Sequence, residues 1–254
     1  MAQPTSSSFA PVSRPSQSNL KTNYLLVYNL LSCFAWAWIL ERVLFELLLI
    51  HPTPGSLSDL LSRARQIDHK IGRSIKLIQS CATLEVIHAL LHLVRSGVLT
   101  TVMQVSSRLC IVLYILPTFP VVGNSPIYAS MVLAWSCTEV IRYAHYAFGL
   151  VGIKADALEW LRYSTFYVLY PIGAGSEAAV MFLAFRAAKA ARLSPVITYT
   201  ILSLVCVWPP SLAVMMKHMS RQRKSRASHT RLFCMNDFQI LQVLTMVTTN
   251  TLLR

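Results

Sequence analysis

Apolar residues fill six long blocks of this chain, and polar residues are concentrated in the shorter stretches between them. The blocks cover about 24–48, 75–94, 98–116, 127–150, 160–185 and 194–216. Each is close to the length of about 20 residues that a helix needs to cross a bilayer. Pro117 and Pro120 are expected to end the third block, and Pro209-Pro210 to interrupt the sixth. The pattern therefore predicts an all-α, polytopic membrane protein, a bundle of six transmembrane helices.

The segments outside the blocks divide the chain into three parts. Residues 1–23 are rich in Ser, Pro and Gln and are expected to form a disordered tail. Residues 24–218 form the membrane domain, in which 51–74 is expected to be a loop, and residues 219–254 form a basic, atypical C-terminal tail. Six spans place both termini on one side of the membrane, and this side carries the excess of Lys and Arg. Both termini are therefore predicted to be cytoplasmic.

Composition and charge support the membrane class. The chain is 54% hydrophobic and 13% charged, whereas a soluble domain carries about 25% charged residues. The net charge of +13 comes mostly from basic residues in tails and loops. Anionic membrane lipid is therefore the expected partner of these residues, and no nucleic-acid partner is expected.

The fifth block contains a tyrosine and a glutamate that stand out from their apolar surroundings. Tyr170 and Glu177 are seven residues apart, so they share one helical face with Cα atoms about 10 Å apart. Between them lie Pro171, Gly173 and Gly175, which are expected to loosen the helix and let it bend. A carboxylate deep in a membrane is costly and marks a functional site, and with a tyrosine it can serve in acid–base catalysis. This segment is therefore the predicted active site.

Other ionisable residues lie well inside the blocks, where each needs a partner or water. They are Glu85, Arg108, Glu139 and Arg142. Glu139 and Arg142 are three residues apart on one helix and are expected to pair. We interpret this group as structural polar pairs that hold the helices together.

Two histidines of the second block, His88 and His92, are four residues apart, a spacing that can hold a metal ion. The other histidines are scattered along the chain, and the six cysteines form no C-x-x-C motif. A hydrogen-bonding role in packing is therefore favoured for both histidines, and no metal site is expected.

Three segments of the chain carry a resemblance to a known family. They are LEVIHALLHLVRSGVLTTVMQVSSR (84–108), WSCTEVIRY (135–143) and YPIGAGSE (170–177). In order and spacing, residues 20–224 resemble the very-long-chain 3-hydroxyacyl-CoA dehydratases, the tyrosine-phosphatase-like (PTPLA) family. The resemblance implies six membrane spans, the endoplasmic reticulum membrane, and a role in fatty-acid elongation beside the elongase and the reductases of that cycle. It also implies that Tyr170 and Glu177 are the catalytic pair.

The reaction implied by this resemblance is loss of water from a long-chain 3-hydroxyacyl-CoA to give a trans-2-enoyl-CoA, without a cofactor. Glu177 is the better base for the C2 proton and Tyr170 the better acid for the departing hydroxyl, although the residues leave the opposite assignment open. The candidates for holding the thioester oxygen are Ser176, Arg142 and Tyr143. The candidates for the CoA end are Arg95, Lys154 and Arg162.

Two other classes of function are compatible with an apolar helical chain. A proton-coupled transporter would use Glu177 and Glu139 as proton carriers, but it is expected to have inverted repeats, and the sequence shows none. A non-catalytic scaffold of the elongation complex would have no need of both Tyr170 and Glu177. The dehydratase is therefore the preferred hypothesis.

Overall fold

The computed structural model describes residues 19–49, 56–206, 208–210, 212, 213, 216, 217 and 220, and every regular element within them is helical. The all-α prediction is confirmed for this part of the chain. The helices are α1 (Asn19–Leu44), α2 (Leu57–Ala64), α3 (Ile67–Cys81), α4 (Thr83–Leu90), α5 (Val98–Leu109), α6 (Leu116–Thr118), α7 (Pro120–Gly123), α8 (Pro126–Val151), α9 (Asp156–Ala190) and α10 (Pro195–Pro210). Two π-helical segments, Phe45–Leu49 and Cys110–Ile115, extend α1 and α5.

Two of these helical stretches have the length and composition of membrane spans. They are Val98–Thr118, which joins α5, the π-helical segment and α6, and Asp156–Ala190, which is α9. They contain the third and fifth predicted spans. A shorter apolar helix, Pro195–Pro210, covers most of the sixth.

Helix α8 lies at the centre of the packing and has well-defined ends. Ser125 Oγ accepts a hydrogen bond from the Ile127 amide, and Pro126 occupies the first turn, where no amide donor is needed. Gly152 ends the helix in the left-handed conformation, at a φ of 80°. Because α8 buries residues from Tyr128 to Ala147, it is in contact with neighbours along its whole length.

Helices α1 and α9 pack against α8 in antiparallel directions. On one side, the Tyr28 ring meets the Tyr143 ring edge-on at 6.1 Å, and the Cys33 thiol lies 3.7 Å from the Val140 carbonyl. On the other side, the contacts run from Arg162–Tyr146 to Ser176–Ser130. As residue numbers rise along α1 or α9, the residues that they contact on α8 have falling numbers. Both helices therefore run antiparallel to α8, as in an up-and-down bundle.

In the segment expected to be a loop, 51–74, the described part from Ser56 onwards is largely helical, so the prediction was wrong for these residues. Ser56 caps α2 with a reciprocal hydrogen-bond pair to Asp59. Helix α3 buries Ile67, Ile71 and Ile75, which recur every four residues. Hydropathy missed both helices because they are amphipathic, so their average polarity resembles that of a loop.

The predicted ends of several blocks also differ from the structure. Helix α1 begins at Asn19, within the predicted tail. The second block contains a break at Ala82 between α3 and α4.

Pro117 does not stop its helix, because it follows a π-helical segment and occupies the first turn of α6, where its missing N–H is tolerated. Pro209 and Pro210 are the last two residues of α10. Residues 1–18 and most of 219–254 lie outside the described residues.

A close approach between α3 and α7 generates a stability prediction. A Cβ atom added to Gly123 would lie 2.4 Å from Asp68 Oδ2 and 3.1 Å from Asp68 Cβ. A Cβ atom added to Gly72 would meet the other oxygen of the same carboxylate, so Asp68 occupies space that two glycines leave open. We expect Gly123→Ala to destabilise the protein by about 1–3 kcal/mol, measured as a lower melting temperature in detergent.

Gly149→Ala is the matched control, because a Cβ at Gly149 would meet nothing within 4 Å. Alanine is the better helix former, so this variant should be as stable as the parent or slightly more stable. Equal melting temperatures for the two variants would contradict the close packing of α3 against α7.

Candidate active site

Helix α9 carries both predicted catalytic residues and continues without interruption from Asp156 to Ala190, through Pro171. Pro171 therefore does not break the helix. Tyr170 is partly buried and meets the Phe166 ring edge-on, with the ring centroids 5.9 Å apart. Glu177 lies two turns further along, towards the C-terminal end of α9. An unbroken helix keeps the two side chains on one side of α9.

The Glu177 carboxylate is held by two tryptophans from other helices. Trp135 of α8 donates its indole N–H to Oε1 at 2.6 Å. Trp208 of α10 donates its indole N–H to Oε2 at 3.0 Å. Both oxygens of the carboxylate therefore accept a hydrogen bond, and three helices meet at this group.

Next to this carboxylate lies a buried ionic network centred on Glu139. Glu139 accepts hydrogen bonds from Arg108 and from Arg142, whose Nε lies 2.7 Å from Oε2. Arg142 also forms a two-pronged contact with Glu85, at 2.7 and 2.9 Å. The hydroxyl of Tyr143 donates to the same Glu85 carboxylate. The i,i+3 contact expected between Glu139 and Arg142 is therefore present, and it belongs to a larger chain of alternating charges.

The ionic network reaches the Glu177 carboxylate through Trp135. The Arg108 guanidinium lies over the Trp135 ring, 5.0 Å from its centroid. The Nε1–H group of that indole donates to Glu177. A cation held by Glu139 is thus stacked on the ring that holds the candidate base.

The Tyr170 side of α9 borders a small cleft of about 40 Å³, which is partly open to the surroundings. The cleft is lined by Thr138, Ile141, Arg142, Arg162, Thr165, Phe166, Leu169 and Tyr170. Arg162 also donates to the Tyr146 hydroxyl at 3.3 Å and lies over that ring at 4.9 Å. Two arginines and a tyrosine therefore line one small space.

The residues predicted to bind substrate do not all reach this cleft. Arg142 and Arg162 line it. Ser176 is buried and shares a 2.7 Å hydrogen bond with Ser130 of α8, and Tyr143 is bonded to Glu85. Arg95 is exposed in the connection between α4 and α5. Ser176 and Tyr143 thus contribute to helix packing in this structure.

The two neighbouring histidines do not form a pair. His88 is buried and lies 2.8 Å from the Tyr24 hydroxyl, with the Tyr28 ring edge-on against it. His92 follows the end of α4 and has a positive φ of 52°, so the helical i,i+4 geometry is lost. The described residues contain no group of three or more metal-ligating side chains.

Sequence reasoning missed the two tryptophans. Trp135 could have been found, because it lies four residues before Glu139 and seven before Arg142, on the same face of α8. Trp208 carries no comparable signal, since its contact with Glu177 depends on how α10 packs.

The fold and the site together define a class: an all-helical, membrane-type protein with acid–base side chains enclosed among its helices. The family model described as "Protein tyrosine phosphatase-like protein, PTPLA" matches residues 79–229, more than half of the chain. The chain belongs to this family.

Curated relatives extend the match over most of the chain. A fission-yeast protein (Schizosaccharomyces pombe), "Probable very-long-chain (3R)-3-hydroxyacyl-CoA dehydratase", is 39% identical over 81% of this chain and 93% of its own length. The rice protein "Very-long-chain (3R)-3-hydroxyacyl-CoA dehydratase PASTICCINO 2B" is 33% identical over 82% and 94%. The human "Very-long-chain (3R)-3-hydroxyacyl-CoA dehydratase 2" is 28% identical over 83% of each chain. No solved structure gives a significant match.

The ionic network predicts a large effect of removing its central carboxylate. Glu139→Ala leaves Arg108 and Arg142 buried without their shared partner, and breaking a buried pair costs about 3–5 kcal/mol. We expect a fall in melting temperature on the order of 10 °C in detergent, together with a lower yield of monodisperse protein.

The control is Glu41→Ala, which removes an exposed carboxylate from α1. This variant should keep the parental melting temperature. A Glu139→Ala protein as stable as the parent would contradict the structural role of the network.

Proposed function

We propose that this protein is a very-long-chain 3-hydroxyacyl-CoA dehydratase, a hydro-lyase of fatty-acid elongation that converts a 3-hydroxyacyl-CoA into a trans-2-enoyl-CoA. The observation that supports the proposal is that Tyr170 lines a cleft together with two arginines, on the helix that also carries the anchored carboxylate of Glu177. The names of the relatives, which cover most of the chain, support the same reaction.

The elimination needs a base and an acid. Glu177 takes a proton from C2, next to the thioester carbonyl, and the electrons of that C–H bond form the new double bond. The bond from C3 to its hydroxyl breaks, and Tyr170 donates the proton that lets the hydroxyl leave as water. A proton returns from Glu177 to Tyr170 after product release, which restores both groups.

The cations of the cleft suit this division of roles. Arg142 and Arg162 line the same space as the Tyr170 phenol. A guanidinium near the phenol favours the negative charge that forms on its oxygen when the proton leaves. Arg142 is oriented for this task by its contacts with Glu85 and Glu139. We assign to Arg142 the further role of donating to the thioester oxygen as negative charge develops there.

The substrate has two further parts that need room. Its long acyl chain is apolar and fits between lipid-facing helices. Its CoA end carries phosphates and requires cations near water, a role we assign to Arg162 of the cleft and to Arg95 and Lys154 in the neighbouring connections.

We further propose six spans in the endoplasmic reticulum membrane, with both termini cytoplasmic and the elongase and reductases of the cycle as partners. The membrane domain then runs from Asn19 to about 218. The antiparallel contacts of α1 and α9 with α8 support an up-and-down arrangement. In this arrangement α2 and the start of α3 lie at the lumenal end.

The proposed chemistry predicts that two nearly isosteric substitutions abolish most of the activity. Tyr170→Phe removes the hydroxyl, and Glu177→Gln removes the ionisable group. Each should lower the turnover of a purified protein on a long-chain 3-hydroxyacyl-CoA by about 100-fold or more. The double variant should be scarcely worse than the poorer single variant, because residues that act as a unit are not additive.

Tyr199→Phe and Glu41→Gln serve as controls, since Tyr199 is 65% exposed on α10 and Glu41 is exposed on α1. Both should keep parental turnover. Near-normal formation of enoyl-CoA by either catalytic variant, at matched expression, would show that the proposed chemistry is wrong.

The topology can be tested on the two turns that flank α9, because the chain itself contains no Asn-x-Ser/Thr acceptor. An acceptor cassette inserted in 191–194 should be glycosylated in reticulum membranes. The same cassette inserted in 152–155 should remain unmodified, since that turn is cytoplasmic in the proposed arrangement. The reverse pattern, or modification at both turns, would contradict it.

A further inference from the structure

Each oxygen of the Glu177 carboxylate accepts one hydrogen bond from an indole. The donors are Trp135, which is 1% exposed, and Trp208, which is half-buried. Their Nε1 atoms lie 2.6 and 3.0 Å from Oε1 and Oε2. A glutamate has three rotatable side-chain bonds, and two donors on different helices restrict all of them.

The choice of indole has a chemical consequence. An indole N–H is a donor only, so it cannot accept the proton that a base takes from substrate. Each indole occupies one acceptor position on one carboxylate oxygen, and the remaining acceptor positions stay available to substrate. Hydrogen bonds to an ionised group are also stronger than neutral ones, so two of them hold the carboxylate firmly.

The two indoles are themselves fixed. Trp135 is stacked under the Arg108 guanidinium, and Arg108 is paired with Glu139. Trp208 belongs to α10, the last helix described, so the carboxylate is fully held once α10 packs against α8 and α9. The position of Glu177 therefore depends on helices that lie far from α9 in sequence.

We propose that Trp135 and Trp208 are positioning residues that aim the Glu177 carboxylate for proton transfer. This role rests on the proposed dehydratase function, in which Glu177 is the base. The indoles act through Glu177 and not on substrate, so their loss should lower kcat and leave KM nearly unchanged.

The test compares Trp135→Phe and Trp208→Phe with Trp160→Phe, in full-length protein purified in detergent and supplied with a long-chain 3-hydroxyacyl-CoA. Trp160 lies on α9 and is 65% exposed, so it controls for the substitution itself. Loss of a hydrogen bond to a charged group predicts a fall in kcat of about 10-fold or more for each of the first two variants. KM should stay within about twofold, and Trp160→Phe should behave as the parent.

A second comparison separates positioning from a general structural role. Glu177→Asp shortens the side chain by one methylene and withdraws the carboxylate from both indoles. In that background Trp208→Phe should lower kcat by less than about twofold, since the contact it removes is already lost. Trp208 is only half-buried, so this variant decides the matter even if Trp135→Phe does not fold.

The possible results are distinct. Parental kcat in Trp208→Phe, or an equal loss in the native and Glu177→Asp backgrounds, would overturn the positioning role while the dehydratase function stands. A parent protein that forms no enoyl-CoA would contradict the proposed function and the positioning role together.

Discussion

The carboxylate of Glu139 lies between two guanidinium groups in surroundings that are too apolar to leave any of the three without a partner. Burying an ion costs several kcal/mol, and the cost is offset only if the opposite charges stay in contact. Any movement of α5 against α8 would separate Arg108 from Glu139. The same holds for α4, through the contact between Glu85 and Arg142. The network therefore fixes three helices in register, whereas apolar packing alone tolerates sliding.

The candidate site depends on this register at two points. Arg142 belongs both to the network and to the wall of the cleft that contains Tyr170. Arg108 belongs to the network and lies over the indole that holds Glu177. Both residues of the proposed catalytic pair, Tyr170 and Glu177, are thus connected to the same set of buried charges, although neither residue belongs to it. A substitution at Glu139 should therefore disturb both ends at once.

The parts of this arrangement that could be predicted are those that depend on neighbouring residues in sequence. Long apolar stretches identify α8 and α9, and the i,i+3 spacing pairs Glu139 with Arg142. Contacts that span long sequence separations could not be predicted, such as Arg142 with Glu85 or Trp208 with Glu177. They depend on the rotation of each helix about its axis, which hydropathy does not set when most faces are apolar. Helices α2 and α3 were missed because they are amphipathic, and their polar faces lower the mean hydropathy of the segment.

The small residues between Tyr170 and Glu177 also shape the packing of α9 against α8. Helix α9 continues through Pro171 without a break, and a bend at these residues stays a prediction. Gly173 is buried, and a Cβ placed there would be 3.7 Å from the Cβ of Ala134 on α8. One turn further along, Ser176 reaches Ser130 on the same helix. An alanine at Gly173 would make an ordinary van der Waals contact with α8, so the two helices already lie about as close as small side chains allow. Because Trp135 of α8 donates to Glu177 of α9, this close packing is also a condition for holding the Glu177 carboxylate.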